Sequence, residues 1–246
     1  MRGVQNMKKI DMHAHVLPGI DDGAKTWDAC LEMLKKSAEN GVEQVIATPH
    51  YLPWKKSASP DEVRKLCIQA KEKLFEKHGI AMDIYPGNEI YYNVDAIQNL
   101  KKGLILTLAE SRYVLVEFDT GAPFQVFCRA IKDFQDERYI PIIAHVERYG
   151  CLRQPEKMRE LKEMGALFQM NIRTIQGGIL DANSRWAKKR LKKKEIDFLA
   201  SDMHDATKRS PILKEELYWV QKTLEPQYQK ALLYKNVQRI LDSTRE

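Results

Sequence analysis

The chain has 246 residues, 43% of them hydrophobic, 9% aromatic and 30% charged, with 12 Gly and 10 Pro; this composition supports a sizeable core and excludes disordered and fibrous classes. No stretch approaches the roughly 18 consecutive apolar residues of a membrane span, and the opening MRGVQNMKKIDMH lacks the apolar segment of a secretion signal, so a cytoplasmic protein without membrane insertion is expected. Lys and Arg total 40 against 34 Asp and Glu, giving +6 and a pI near 9.0, which suits a phosphorylated substrate, nucleic acid or an anionic surface without choosing among them.

Short β-branched and apolar runs alternate with longer segments of helical period, the pattern of repeated βα units around a parallel sheet. Seven strands are predicted, at about 8–16, 42–50, 82–91, 113–119, 140–146, 167–172 and 196–203. After the first, Trp27, Cys30, Leu31, Leu34 and Ala38 recur on one helical face, and Gly41 supplies the stop. Ser59-Pro60-Asp61-Glu62 has capping-box spacing, and Val63, Leu66, Cys67, Ala70 and Leu74 line a stripe ending near Gly79, which puts Cys67 in the core. Further helices are predicted at about 124–136, 155–164, 182–194, 212–224 and 227–242. Lys188, Lys189, Arg190, Lys192, Lys193 and Lys194 read as the wet face of the helix that turns Trp186, Ala187 and Leu191 inward. One domain over 1–246 is expected, with residues 1–7 an N-terminal extension to which no role is assigned.

Periodicity alone does not separate an open doubly wound sheet from a closed barrel, but the polar residues do. A barrel draws its chemistry from the C-terminal ends of several strands, whereas an open sheet concentrates it at one switch point. Five of the six histidines, His13, His15, His50, His145 and His204, fall at or just past a predicted strand end, and only His78 sits at a helix end. Residues i and i+2 of a strand share a face, so Asp11-Met12-His13-Ala14-His15 presents two imidazoles side by side. One such pair is common at a polar strand end. Here it is joined by Thr48-Pro49-His50, Asn88-Glu89, Val116-Glu117, His145-Val146-Glu147-Arg148 and Ser201-Asp202-Met203-His204. Carboxylates crowded at one barrel mouth would repel one another and be costly to desolvate without cations. Imidazole and carboxylate without thiolate suit Mn²⁺, Fe or Zn²⁺ rather than a cysteine-rich structural zinc.

The four cysteines, Cys30, Cys67, Cys128 and Cys151, are scattered singly and read as reduced thiols. A thiolate phosphatase needs Arg six residues after its Cys, but those positions hold Lys36, Lys73, Phe134 and Lys157. A P-loop and a G-x-S-x-G elbow are likewise absent.

With DMHAH, LPGIDDG, ATPH, the Glu of GNEIYY, VLVEF, IIAHVERY and ASDMH in order between Ile10 and Arg209, the chain resembles the PHP (polymerase and histidinol phosphatase) superfamily. Within it, the resemblance is closest to the bacterial manganese-dependent protein-tyrosine phosphatases of capsular and exopolysaccharide synthesis. Val146 stands where that family usually has Pro, which leaves His145 and Arg148 in register. The resemblance implies an α/β fold, a distorted seven-stranded (β/α) TIM-like barrel, and three divalent ions, Mn²⁺ first with Fe or Zn²⁺ as alternatives. It assigns His13, His15, Glu89 and Asp202 to one ion, Glu89, Glu117 and His145 to a second, and Asp22, His50 and His204 to a third, with Asp21 the fallback for Asp22. Arg148 and Arg209 match the family's phosphate-binding arginines.

Three divalent ions would outweigh four carboxylates and a bridging hydroxide, so the pocket would attract a phosphate dianion. The expected reaction is hydrolysis of phosphotyrosine by a metal-bridged hydroxide. A phenol, with a pKa of about 10, leaves without a dedicated general acid. The loop Tyr51-Leu52-Pro53-Trp54-Lys55-Lys56 offers aromatic and cationic groups to such a substrate, while Trp54 could equally pack beneath the loop. The implied partner is a bacterial tyrosine autokinase with a phosphorylated tail, and nucleic acid is not expected. Competing readings are a histidinol-phosphate or other small-phosphomonoester phosphatase on the same site, a nuclease using the basic helix, and a scaffold without turnover.

Overall fold

The computed structural model describes residues 7–178, 180–211 and 214–243. Among the described residues, nine parallel strand segments are interspersed with helices. β1 (Lys9–Ala14), β2 (Val42–Ala47) and β4 (Asp83–Pro86) form one sheet in the order β1-β2-β4. β3 (His50–Tyr51), β5 (Glu89–Tyr91), β6 (Tyr113–Glu117), β7 (Ile140–Ile143), β8 (Leu167–Asn171) and β9 (Phe198–Ala200) form a second in that order.

This differs from the seven strands read from the sequence, and two local breaks are the reason. Predicted strand 42–50 is interrupted at Thr48-Pro49, where proline has no N–H for the ladder, and resumes in the other sheet as β3. Predicted strand 82–91 is interrupted at Gly87-Asn88. A Cβ at Gly87 would press within 3.2 Å of Ile46 and Leu108 side chains, so the strands approach closely there. Asn88 bridges the break: its Nδ2 donates to the Pro49 carbonyl (2.9 Å) and its Oδ1 accepts from Leu106 N (2.8 Å). At the opposite edge, His15 N donates to Met203 O and Asp202 N to His13 O (both 2.9 Å), so the end of β1 meets the segment leaving β9 and the sheet curls.

The helices follow the sequence signals closely. α1 (Trp27–Glu39) starts at Thr26, whose side chain accepts from Ala29 N. α2 (Pro60–His78) starts at Ser59, which accepts from Glu62 N, and ends at Gly79 in the left-handed region, where glycine carries no Cβ penalty. Cys67 is buried as expected. α3 (Ala96–Lys101) was not anticipated; α4 (Phe124–Asp136) spans the predicted range, followed by α5 (Pro155–Glu163) and α6 (Ala182–Lys192). Arg190 departs from the expected wet face: it is buried beside Trp186 and paired with Glu195 at 2.8 Å. α7 (Lys214–Thr223) falls inside the predicted 212–224, whose first two residues lie outside the described ones. The predicted 227–242 helix is α8 (Pro226–Lys230), a π turn (Ala231–Lys235) and α9 (Asn236–Asp242). No helix among the described residues is long and apolar enough to cross a membrane.

The larger apolar cluster joins α1, α2 and α4 to Val45, Val114, Val116 and Ile143 of the sheets. A smaller one joins Leu115, Ile142, Phe198 and Ala200 to Val237, Ile240 and Leu241 of α9. Leu115 and Ala200 precede Glu117 and Asp202 by two residues, the spacing that keeps a strand face constant. Apolar packing thus gives way to polar groups at the C-terminal strand ends.

Candidate metal centre

The expected ligands other than Asp22 lie in or just past those strand ends. His13 is in β1, His15 just beyond it, His50 in β3 opposite Glu89 of β5, Glu117 at the end of β6, His145 two residues past β7 and Asp202 two past β9. His204 follows Asp202, and Asp22 enters from the loop after β1. Both His145 (φ 32°) and Asp202 (φ 51°) adopt left-handed backbone, a conformation costing about 1–3 kcal/mol for such residues. Hydrogen bonds hold them there: His145 N donates to Gln169 Oε1 (2.7 Å) and Asp202 N to His13 O (2.9 Å).

Three groups of converging donor atoms result: His13, His15, Glu89 and Asp202; His15, Asp22, His50 and His204; and His50, Glu89 and Glu117. His145 adjoins the third group, with Nε2 2.8 Å from Glu89 and 3.6 Å from Glu117. Glu89 belongs to two of the three groups. Its Oε2 lies 3.2, 3.1 and 3.2 Å from the facing nitrogens of His13, His15 and His50. His15 and His50 each join two groups, which the register of motifs did not suggest.

Four of the imidazoles share one orientation. Nδ1 faces Gln169 Oε1 in His13 (3.2 Å), Asp21 Oδ2 in His15 (2.7 Å), Tyr149 Oη in His145 (3.3 Å) and the Asp202 carbonyl in His204 (3.0 Å). His50 Nδ1 lies 3.0 Å from Glu117. In the first four Nε2 is left for the interior of the cluster, the arrangement by which an outer partner fixes a ligand's tautomer; His50 differs, with Nδ1 toward Glu89 and Glu117 and Nε2 toward Asp22. Asp21 therefore orients His15, and its other oxygen accepts from Gly23 N at 2.9 Å, whereas Asp22 faces His50 and His204 at 3.4 and 3.2 Å. The structure favours Asp22 over Asp21 as the group inside the cluster.

The donor set fits divalent cations. His50 Nδ1 and His204 Nε2 are buried without a hydrogen-bond partner although carboxylate oxygens lie within 3.2 Å, because the rings do not aim at those oxygens. Atoms that converge without bonding one another leave a common point for an ion. In the metal-free protein three of the imidazoles take protons instead, and the carboxylates stay ionised. Burial disfavours the charged imidazolium of His15, but Asp21 and Glu89 outweigh it and push that pKa up to about 9; Glu117 and Glu89 do the same for His145, and Asp22 and Glu117 push His50 up to about 11. The same pairings hold Glu89 well below the usual carboxylate range against its own burial.

Raised histidine pKa values give stability that is complete below the unfolded value of about 6.5 and lost as pH rises through the folded one. Metal-stripped protein should therefore lose melting temperature progressively from about pH 6.5 through about 9, where His15 and His145 titrate, to about 11, where His50 does, and metal-loaded protein should not, because cations replace the protons. Calorimetry on the two forms checks this; equal pH profiles would contradict it.

Gly23 closes the Asp21-Asp22 loop onto β1. A Cβ there would collide with the carbonyl and Cβ of His15. Gly23→Ala should displace the loop, cost roughly 1–3 kcal/mol and lower the metal content by about one ion, both readable by calorimetry and elemental analysis.

Asp202 links the cluster to two arginines. Its Oδ2 accepts from Arg148 Nη2 (2.6 Å), Asn171 Nδ2 (2.8 Å) and Arg209 Nη2 (3.0 Å), while Oδ1 lies 3.4 Å from His13 and 3.6 Å from His15. Beside them opens a cleft of about 770 Å³ lined by Arg148, Arg209, Asp202 and Asn171. On the other side, Trp54 is 66% exposed and meets the Tyr91 ring edge-on at 4.5 Å, so it does not pack beneath its loop. Burial pushes the Cys30 and Cys67 thiols up to about 12, which suits core thiols and no nucleophile.

Asp21, Gln169, Asn171 and Tyr149 were not anticipated as supporting residues. Gln169 and Asn171 did carry a signal: two amides at i and i+2 in the otherwise apolar LFQMN strand share one face.

A curled parallel sheet that gathers five imidazoles and four carboxylates at its C-terminal ends, with two arginines on one of them, defines a class of α/β proteins built to hold divalent metal ions. Residues 9–242 match the family model described as "Capsular polysaccharide synthesis, CpsB/CapC", and the chain belongs to that family. It is 31% identical over 214 residues to the tyrosine-protein phosphatase YwqE of Bacillus subtilis, covering 87% of this chain and 84% of the relative. With the tyrosine-protein phosphatase CpsB of Streptococcus pneumoniae it shares 29% over 238 residues, 94% of this chain and 98% of the relative. A solved structure described as one of YwqE and CpsB, "unique metal-dependent tyrosine phosphatases", superposes with a TM-score of 0.86 at 30% identity, covering 95% of this chain and 94% of that one.

Proposed function

We propose that this protein is a metal-dependent protein-tyrosine phosphatase acting in capsular or exopolysaccharide synthesis. One observation carries the reading: Asp202 offers one oxygen to the imidazole cluster and the other to Arg148 and Arg209, which joins phosphate anchors to a metal cluster through one carboxylate. The function of relatives similar over nearly their whole length supports it.

The proposed ligands are His13, His15, Glu89 and Asp202 for one ion, Glu89, Glu117 and His145 for a second, and Asp22, His50 and His204 for a third, with Mn²⁺ the first choice and Fe or Zn²⁺ the alternatives. His50 Nε2 then serves the third ion while Nδ1–H faces Glu117, which leaves His145 as the imidazole of the second. Divalent ions bound there would bring the pKa of water toward neutrality and polarise the phosphoryl group. Arg148 and Arg209 would bind the non-bridging phosphate oxygens through their free N–H donors and stabilise the charge that develops on them. Their bonds to Asp202 hold both guanidiniums in place before substrate arrives. Burial of the cluster floor keeps bulk water from the reacting phosphorus.

The same reading takes the chain as one domain in the cytoplasm, treats the nine strand segments as seven barrel strands of which two are broken, and assigns a phosphorylated tyrosine-autokinase tail as the physiological substrate. Its test is hydrolysis by chelator-stripped protein reconstituted with Mn²⁺, comparing a phosphotyrosine peptide with histidinol phosphate. Metal-dependent preference for the peptide is expected; preference for histidinol phosphate would overturn the substrate assignment, and no turnover of either would overturn the enzyme reading.

A further inference from the structure

We propose that the cleft beside the metal cluster contains a second anion subsite, formed by Arg153 and Arg173, which selects peptides carrying another acidic group a few residues from the phosphotyrosine. The inference rests on the phosphatase reading above and extends it to substrate choice.

Four guanidiniums line this cleft. Arg148 and Arg209 form its inner pair and share Asp202. The outer pair is built onto the neighbours of the inner one. Arg153 Nη2 donates to the carbonyl of Glu147, the residue before Arg148, and to Asn183 Oδ1 (2.7 Å), and its guanidinium lies 4.8 Å from the Trp186 ring centroid. Arg173 Nη2 donates to the carbonyl of Ser210, the residue after Arg209, at 2.9 Å. Both are thus held in fixed positions by neutral acceptors. Among the described residues neither makes an ion pair; Glu147 acts on the charge of Arg153 and Glu216 feels that of Arg173, neither acid pairing with its arginine.

The acids of the cleft are already engaged. Glu147 accepts from Thr174 Oγ1 (3.0 Å) and Asn171 N (3.2 Å), Asp181 caps α6 through Asn183 N and Ser184 N, and Asp202 serves the inner arginines. Two immobilised guanidiniums without a directly paired carboxylate are only partly compensated in this cleft, and their forked donors match a carboxylate or a phosphoryl group. An anion there would sit on the same side of the cluster as Arg148 and Arg209. With its phosphotyrosine at the inner pair, a peptide would therefore place a neighbouring side chain at the outer pair.

The test compares kcat and KM of the metal-loaded protein on three phosphotyrosine peptides: one with neutral flanks, one with a nearby glutamate and one with a second phosphotyrosine. The wild type should favour both acidic peptides through a lower KM, and the Arg153→Gln/Arg173→Gln protein should lose about tenfold of that preference with its metal content retained. A gain confined to the doubly phosphorylated peptide would assign the subsite to phosphoryl groups; a gain on both acidic peptides would assign it to anions generally. No preference in the wild type, or an equal fractional loss on all three peptides in the variant, would overturn the proposal. Failure to turn over any peptide would instead overturn the phosphatase reading, so the two failures are distinguishable.

Discussion

A Glu89→Gln protein is expected to fold, to lose about two of the three ions proposed above and to fall in kcat by roughly 10³-fold or more, since it would forfeit both the activated water and the clamp on the phosphoryl oxygens. The reason is geometric. Glu89 alone approaches His13, His15, His50 and His145, with Oε2 serving the first three and Oε1 the last. The amide keeps the shape but halves the acceptor oxygens, and its NH₂ points a donor at groups that must bind a cation. Elemental analysis alongside turnover checks this; a variant that retains full metal and near-normal kcat would remove Glu89 from the centre of the site.

Arg148→Ala separates phosphate handling from metal binding. Arg148 touches only the outward oxygen of Asp202, and Asn171 and Arg209 remain on that oxygen after its removal. Metal content should therefore stay near the wild-type value while kcat falls by about 10²–10³-fold, the usual cost of deleting one donor aimed at developing charge. Loss of metal in parallel with activity would make Arg148 a support for Asp202 rather than a ligand of the phosphate.

Much of this site was legible in the chain. The HxH spacing of His13 and His15, the placement of His50, His145 and His204 at strand ends, and the isolated acids Glu89, Glu117 and Asp202 predicted a metal cluster because period-two strands deliver such residues to one rim. Helix limits were legible at Ser59 and Gly79, where capping depends on neighbouring residues only. The breaks at Thr48-Pro49 and Gly87-Asn88 were not, because Asn88 acts on Pro49 and Leu106, partners distant in sequence. Arg190 was misread for the same reason: helical period puts it among lysines, while packing brings it to Glu195 and Trp186.

The sequence by itself determined the alternation of strands and helices, the ligand chemistry and the exclusion of a thiolate route, all of which follow from residue type and short-range spacing. Only the tertiary structure decided that Asp22 faces the cluster while Asp21 orients His15, that His13, His15, His145 and His204 turn Nε2 inward, and that Arg153 and Arg173, without an ion pair among the described residues, stand beside Arg148 and Arg209. These outcomes depend on which side chains meet across the curled sheet. Hydrogen-bond direction at a few ångströms is set by that meeting, and chain order does not encode it locally.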